Sequence, residues 1–371
     1  MEQREKLEEL QKTVKPIRVL VETLADEDLT NAQMVNARDI IRRLDRDRFH
    51  VTAFMFGKPD PRISQRPNTQ LIQLPKRRQT ARILAEFLFG SHDILFYVKA
   101  SPASKWYMKL RSKKKNKRVT VGTIESQCNW RTESSISPEN VVLIENTVLR
   151  CDHLFSNSAS VKSSLHTEYG LQSEVVPTGV DTEFFSPDPN KAENVRPRVI
   201  FVGSLRPFKG PQTVFDAAER FPHLDFVLVG DGASAADLRE RAKRLANVQM
   251  RGAISREEVR AEYRRSDICL FPSRWEGSPK VIMEAASCGL PVIARQDYRP
   301  ETVIHEETGY LTKNEDELFA RVAALAAETS VRRKMGLAGR SHMKRFDWNL
   351  IARQWEDIFL QVAPRANGGA C

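Results

Sequence analysis

RVIFVGSLRPFKGPQTVFDAAERFPHLDFVLVG, residues 198–230, reads as strand, loop, helix, strand. Two apolar runs, RVIFVG (198–203) and DFVLVG (225–230), each end at a glycine, and a helical pattern beginning near Pro211 separates them. The same alternation continues through VQMRG (248–252), DICLF (267–271) and PVIA (291–294). It also runs upstream through IRVLVE (17–22), HVTAFMF (50–56), QLIQL (70–74), DILFYV (93–98), RVTVGTI (118–124), HLFSN (153–157) and SEVVP (173–177), with helical patterns such as 31–44 and 79–89 between. Strands alternating with helices predict parallel βαβ units and a doubly wound sheet. After Leu311 the pattern reads as helical to the end, and residues 1–16 read as a short amphipathic helix or lead-in.

The alternation breaks once. GVDTEFFSPDPNKAENVRP (179–197) is rich in Pro, Asp and Asn and has no clear period, so a domain boundary is expected there, with domains 1–182 and 183–346. A length of 371 residues fits two domains. Two such α/β domains predict a cleft, with ligands outside the carboxyl ends of the strands.

Composition narrows the class. Hydrophobic residues at 41% and charged residues at 29% exclude a disordered chain. The five cysteines, Cys128, Cys151, Cys269, Cys288 and Cys371, are scattered without a C-x-x-C pair, which argues against a disulfide framework or zinc site and suits a reducing cytosol. No apolar stretch is long enough to span a bilayer, and the charged start MEQREKLEELQK does not read as a secretory signal. The expected location is cytoplasmic, or peripheral on the inner membrane face. The net charge of +10 is uneven: residues 58–118 hold 16 Lys+Arg against Asp60, Glu86 and Asp93, a local +13. That face suggests an anionic partner.

Two loops after strands carry candidate chemistry. In VGSLRPFKGP (202–211), Gly203 allows a sharp turn, and Arg206 and Lys209 stand just ahead of a helix start. Amide donors and two cations there suit a pyrophosphate; the stretch reads also as a plain basic loop. It lacks P-loop spacing. In FPSRWEGSPKVIMEAASCGLPVIA (271–294), Ser278 reads as an N-cap with Pro279 as the first helical residue, and Gly289 ends the helix. Glu276 lies before that helix and Glu284 within it, flanking the amides of Gly277 to Lys280. Carboxylates accept hydrogen bonds from sugar hydroxyls, so one could hold a transferred sugar and the other a ribose; both also read as ordinary surface acids.

Glu276 and Glu284, with seven residues between them in EGSPKVIMEAASCGLPVIA, resemble the signature of the retaining group 1 glycosyltransferases, which have the two-Rossmann-domain GT-B fold and use nucleotide-sugar donors. VVPTGVDTEFFSPDP (175–189), VGSLRPFKG, LVGDG (228–232), residues 248–273 and ETVIHEETGYL (301–311) follow in the family's order. The resemblance covers about residues 175–312. It implies that Lys209 contacts the donor diphosphate and that Arg206 shares the task, although the family's usual Arg stands where this chain has Ser204. It implies that Glu276 binds the donor sugar with Gly277 and Ser278 amides, that Glu284 holds the ribose, and that Gly203, Arg251, Gly252, Pro279 and Val281 line the donor site. Lys280 stands where relatives often have a small or amide residue. On the acceptor side, the loop LADEDLTNAQ (24–33) offers Asn31 and Gln33 where many relatives carry Gly-Gly, and Glu125 aligns with a frequent His; Glu125 would orient the acceptor or stabilise positive charge, or else cap a turn. Helix 347–362 would return to the first domain, with Trp348, Ile351 and Trp355 packing on one face.

The expected reaction is therefore metal-independent, retaining transfer from a nucleotide sugar, without a cofactor, to a glycan or to a lipid-linked or phosphorylated acceptor in cell-envelope or exopolysaccharide synthesis. Asp45-Arg-Asp47 is discounted as a metal site because it ends a helical stretch instead of following a strand. KWYMKLRSKKKNKR (105–118), with Lys76, Arg77 and Arg78, suggests an anionic membrane surface as a partner of residues 76–118, or else a solvated basic face. Competing classes are a GT-B epimerase or inverting transferase, a catalytically dead relative, and a nucleic-acid-binding protein; no nucleic-acid-binding signature supports the last.

Overall fold

A computed structural model describes residues 15–27, 31–111, 118–132 and 136–364. The expected N-terminal helix lies outside the described residues except for its last two positions, and most of the KKKNKR run lies outside them too. The chain forms two units. One runs to Val176 and resumes at Trp348; the other is Pro177–Asp347. The aperiodic stretch after Pro177 is fastened to the second unit. Val180 N–H donates to the Phe346 carbonyl at 2.8 Å, and Arg340 Nη1 donates to the carbonyls of Thr182 and Phe185 at 2.6 and 3.0 Å.

The first unit holds β1 (Ile17–Leu24), β2 (Phe49–Met55), β3 (Thr69–Gln73), β4 (Ile94–Phe96), β5 (Val119–Ile124), β6 (His153–Ser156) and β7 (Glu174–Val175). They form one parallel sheet in the order β3-β2-β1-β4-β5-β6-β7. The second unit holds β8 (Arg198–Val202), β9 (Asp225–Val229), β10 (Val248–Gly252), β11 (Ile268–Phe271), β12 (Val292–Arg295) and β13 (Gly309–Thr312), ordered β10-β9-β8-β11-β12-β13 and also parallel. Strand order reverses between β1 and β4, and again between β8 and β11. Connections on either side of such a reversal diverge, which opens a crevice at the carboxyl ends of those strands.

β13 corrects the sequence reading, which had no strand there. GYLT is four residues long and starts at a glycine, so it shows no apolar run; pairing with β12 makes it a strand, Gly309 to Val292 and Tyr310 to Ile293. The Glu-bearing helix is corrected by one residue. It spans Lys280–Ser287, with Pro279 at the cap position and no side-chain cap. Asp45 lies beyond the Ala32–Ile41 helix, in a turn before β2, where its Oδ1 accepts the N–H groups of Asp47 and Arg48 at 2.8 and 3.0 Å.

The final helix, Trp348–Val362, belongs to the first unit and packs on the Ala32–Ile41 helix. Its apolar stripe buries Trp348, Ile351, Trp355 and Phe359. The Trp355 ring lies 4.8 Å from Phe96, 5.0 Å from Phe155 and 5.8 Å from Phe359. Trp355 thus joins the last helix to two strands of the sheet. Truncating such a residue removes its transfer energy and leaves a cavity. Trp355→Ala is expected to cost about 3–5 kcal/mol, read as a lower denaturant midpoint of the first unit's unfolding transition; a loss below about 1 kcal/mol would refute this anchoring role.

Candidate active site

In the second unit the loops after β8 and β11 meet across the strand-order reversal. After β8 the chain turns at Gly203 and runs through a short 3-10 turn, Pro207–Lys209, into the Pro211–Arg220 helix. The turn ends at Gly210, whose φ of +70° suits glycine, and a Cβ there would sit 2.8 Å from the Pro272 carbonyl oxygen. The β8 loop is laced to the β9 loop: Leu205 N–H donates to Asp231 O at 2.9 Å, and Ser234 N–H to Leu205 O at 2.8 Å. At Gly230, φ +132°, a Cβ would meet the Gly203 carbonyl oxygen at 1.9 Å. Only glycine lets these two loops touch.

This close packing sets Lys209 against Glu276. Lys209 Nζ donates to Glu276 Oε1 in an ion pair whose side chains are 19% and 12% exposed. Ser273 Oγ donates to the same oxygen at 2.7 Å. Arg274 N–H reaches back to the Phe208 carbonyl at 3.0 Å, tying the two loops at a second point. The Lys209 ammonium also lies 5.4 and 5.6 Å from the Phe208 and Phe271 ring centroids. Arg206 is exposed, and its guanidinium has no partner among the described residues. The Gly277 and Ser278 amides likewise make no hydrogen bond among the described residues, just before the Lys280–Ser287 helix. Val281 and Lys280 open that helix, and half-buried Glu284 lies on it, with the Tyr263 hydroxyl 3.5 Å from its Oε2. Tyr263 also donates to Val281 O at 3.2 Å, and burial pushes its phenol well above the ordinary value. Ser204 stays in the half-buried β8 turn. Gly252, φ +70°, ends β10 and accepts from Gly230 N–H at 2.8 Å. Arg251 is exposed and its Nε lies 3.3 Å from Glu262, so its side chain serves an ion pair on the Arg256–Arg265 helix.

The first unit's reversal carries a second cluster, most of it absent from the sequence reading. Glu22 is buried near the end of β1. It accepts Lys99 N–H at 2.8 Å, Ser101 Oγ–H at 2.6 Å and Ser104 Oγ–H at 2.5 Å. Burial outweighs these bonds and pushes its carboxyl up to about 7. Lys99 follows β4, and its Nζ donates to Gln33 Oε1 at 2.8 Å; burial draws it down to about 8 against the pull of Glu125 and Glu22. Tyr97, held at φ +59°, donates its hydroxyl to Glu125 Oε1, while Asn36 Nδ2 donates to Glu125 Oε2 at 3.1 Å. Glu125 therefore sits in a bonded network that spans β4, β5 and the Ala32–Ile41 helix. Asn31 caps that helix, accepting Gln33 N–H at 2.9 Å. Glu22, Asn31, Gln33 and Lys99 line a cavity of about 320 Å³ whose other walls include Leu24, Met34, Phe54 and Phe56. One sequence signal was available for Glu22: a carboxylate inside an otherwise apolar strand, IRVLVETL.

Among the described residues no group of three or more His, Cys, Asp or Glu could hold a metal ion, and no helix is long and apolar enough to cross a membrane.

Residues 182–342 match the family described as glycosyl transferases group 1. The chain is 26% identical over 341 residues to a GDP-mannose-dependent alpha-(1-6)-phosphatidylinositol monomannoside mannosyltransferase of Mycolicibacterium smegmatis, covering 83% of this chain and 84% of that one. It is 29% identical over 259 residues to a D-inositol 3-phosphate glycosyltransferase of Segniliparus rotundus, covering 64% of this chain and 55% of that one. Its fold is similar to that of sucrose-phosphate synthase from Thermosynechococcus elongatus, with TM-score 0.77 at 19% identity over 94% of this chain and 99% of that one. It is also similar to Anabaena HepE in complex with UDP, with TM-score 0.73 at 18% identity over 94% and 100%. The two parallel-sheet units have the GT-B fold.

The buried Glu22 makes a testable statement about pH. Its folded-state value is raised, so the native chain keeps this proton up to about pH 7 while the unfolded chain loses it near the ordinary carboxylate value of 4.5. Stability from this group is complete below the unfolded value and is lost as pH rises through the folded one. Between pH 4.5 and 7.5 the loss is expected to be roughly 3 kcal/mol. Gln mimics the protonated acid and does not titrate, so urea midpoints of the native chain and of Glu22→Gln should diverge as pH rises, the native chain falling below the variant; parallel slopes would rule out titration of Glu22 in this window.

Proposed function

We propose, from the match of residues 182–342 to the group 1 glycosyl transferases, that this chain transfers a hexosyl group from a nucleoside-diphosphate sugar to a hydroxyl of a lipid-linked or phosphorylated acceptor, with retention and without a metal ion. The observation that carries this reading is the Lys209–Glu276 pair at the β8/β11 reversal, beside the unbonded amides of Gly277 and Ser278. The mannoside and inositol-phosphate acceptors in the names of its relatives support the acceptor class.

The chemistry follows from the charges. Cleavage of the anomeric C–O bond sends its electron pair to the diphosphate and leaves an oxocarbenium-like ring. Lys209 and Arg206 meet the developing negative charge, and Gly277 and Ser278 amides add dipoles that need no reorganisation. A diphosphate bound at Lys209 competes with Glu276 for the ammonium, which turns the carboxylate toward sugar hydroxyls. Glu284 takes ribose hydroxyls. The acceptor oxygen bonds to the anomeric carbon on the face the diphosphate leaves, and its proton passes to a diphosphate oxygen. Glu125, held by Tyr97 and Asn36, would orient the acceptor.

The acceptor cavity has polar groups on one wall and Leu24, Met34, Phe54 and Phe56 on the others, which suits a hydroxyl carried next to an apolar group. On a basic face of the same unit Trp106, 51% exposed, stands among Lys105, Lys109 and Arg150, and Phe89, 78% exposed, ends the helix that packs on the Trp106 helix. Apolar side chains projecting from a cationic face suit an anionic bilayer, the phase from which a lipid-linked acceptor would come.

Lys209→Ala combined with Arg206→Ala is expected to lower kcat by about 10²–10³, and Glu284→Ala to raise the Kd for nucleoside diphosphate by about tenfold or more. Native turnover in the double variant would overturn the leaving-group role. Product NMR should show the donor's anomeric configuration, and turnover should survive EDTA; inversion or loss would each overturn the matching part of the proposal. In flotation assays the chain should bind phosphatidylglycerol vesicles at low salt and release at high salt, and Phe89→Ser with Trp106→Ser should abolish binding. No binding at low salt removes the membrane partner.

A further inference from the structure

The second unit contains another cavity, at the opposite edge of its sheet. It is lined in part by Ser266 and Asp267, which precede β11, and by Leu290 and Pro291, which precede β12. In a parallel sheet those positions mark the amino ends of the strands, whereas Lys209 and Glu276 stand beyond the carboxyl ends. The volume is about 330 Å³, at the small end of metabolite sites.

Its walls follow from a sequence pattern that the donor reading does not use. Arg332, Gly336 and Arg340 are spaced by four on the Thr329–Met343 helix, so they share one face. Gly336 lets that face pass the Cys288–Gly289 turn: a Cβ there would lie 2.0 Å from the Gly289 carbonyl oxygen. Arg264, at the end of the Arg256–Arg265 helix, lines the same cavity. Across it runs the Pro187–Glu193 strap with Lys191.

The charges are unbalanced. Five cations (Lys191, Arg264, Arg332, Arg333, Arg340) face three acids (Asp188, Glu193, Asp267), which leaves 5 − 3 = +2. Lys191 is paired with Asp267 at 2.8 Å and Arg333 with Glu193 at 3.5 Å. The other three guanidinium groups bond only to neutral oxygens. Arg264 donates to Ser186 O and Oγ at 2.7 and 2.9 Å. Arg332 donates to the carbonyls of Leu325 and Ala326 and to Thr329 Oγ1. Arg340 spends only Nη1, on the carbonyls of Thr182, Phe185 and Ser287. None of the three has a carboxylate partner among the described residues. Carbonyl bonds fix the orientation of a guanidinium but leave its full charge, and a fork with unused N–H groups matches a phosphate.

We infer that this cavity is a binding site for a small phosphate monoester, of monosaccharide size, separate from the donor loops. The inference does not rest on the proposed reaction, because it uses none of the donor residues. The apolar walls, Pro187, Ala192, Leu290 and Leu337, would cover the organic part.

The test is calorimetry on the full chain carrying Lys209→Ala, so that the donor loop contributes no phosphate site. Hexose 6-phosphate and inorganic phosphate are the anionic probes, and the neutral hexose is the control. Both anions should bind and raise Tm, by about 4 °C at saturating probe, while the neutral sugar does neither. Leu337→Glu and Ala192→Glu remove no bond seen in the structure, because both positions are exposed. Each should weaken both phosphates by about tenfold through like-charge repulsion, with an unchanged circular dichroism spectrum and unchanged Tm in probe-free buffer. Glu193→Gln frees Arg333 and should tighten binding about threefold. Equal affinity in the native-cavity and Glu-substituted chains, equal binding of neutral hexose, or no heat and no Tm shift at about 10 mM phosphate would each overturn the inference.

Discussion

The structure depends on two charges, 67 residues apart in sequence, that meet because β8 and β11 are neighbours in a parallel sheet. Lys209 and Glu276 each stand one loop beyond a strand end. A reversal in strand order is the one place where two such loops are adjacent and no crossover helix fills the space between them. Everything local serves that meeting. Gly210 lets the first loop come against Pro272, Gly230 lets the β9 loop support it, and the Arg274–Phe208 backbone bond closes the two loops together. A side chain at either glycine would separate the charges before any change to the charges themselves.

The two crevices treat charge differently. In the second unit the lysine is already neutralised by its acid, and Phe208 and Phe271 shield the ammonium. A pair that is only partly exposed keeps most of its mutual attraction against salt screening. In the first unit Glu22 is buried deeply enough that its neutral form is stabilised near neutrality, and Lys99 is drawn down toward the same range. The cavity wall there is accordingly one of hydroxyls, amides and weakly held protons beside apolar side chains.

The fold was legible because parallel strands buried on both faces announce themselves as apolar runs. Twelve runs, RVIFVG and DFVLVG among them, are strands, and the one omission, β13, is a four-residue strand that begins with Gly309. The positions of the loops after β8 and β11 were legible for a related reason: in a βα unit, the residues just after an apolar run have a known place. Glu22, Tyr97 and Lys99 were not. Their proximity to Glu125 comes from the pairing of β1 with β4 and β4 with β5, which is long-range information that no local spacing carries. Asn31 shows the converse error of emphasis. Its polar side chain was noticed as a hydrogen-bonding group, and the structure spends that group on capping its own helix.

The arginines of the Thr329–Met343 helix sharpen the same point about what charge means in a sequence. Arg332 and Arg340 are spaced as a helix face would be, yet the neutral reading of such a face is solvation. What changes the reading is their partners. Arg332 is 8% exposed and bonds to carbonyls, and Arg340 ties the start of the second unit, at Thr182 and Phe185, to its last helix. A guanidinium held by carbonyls is rigid and still positively charged. An arginine paired with a carboxylate is rigid and neutral. The first arrangement costs more to bury, so three instances around one cavity are a standing unfavourable term that an anion would relieve. On this argument the cavity at the amino ends of β11 and β12 carries a net positive charge that its own acids do not balance.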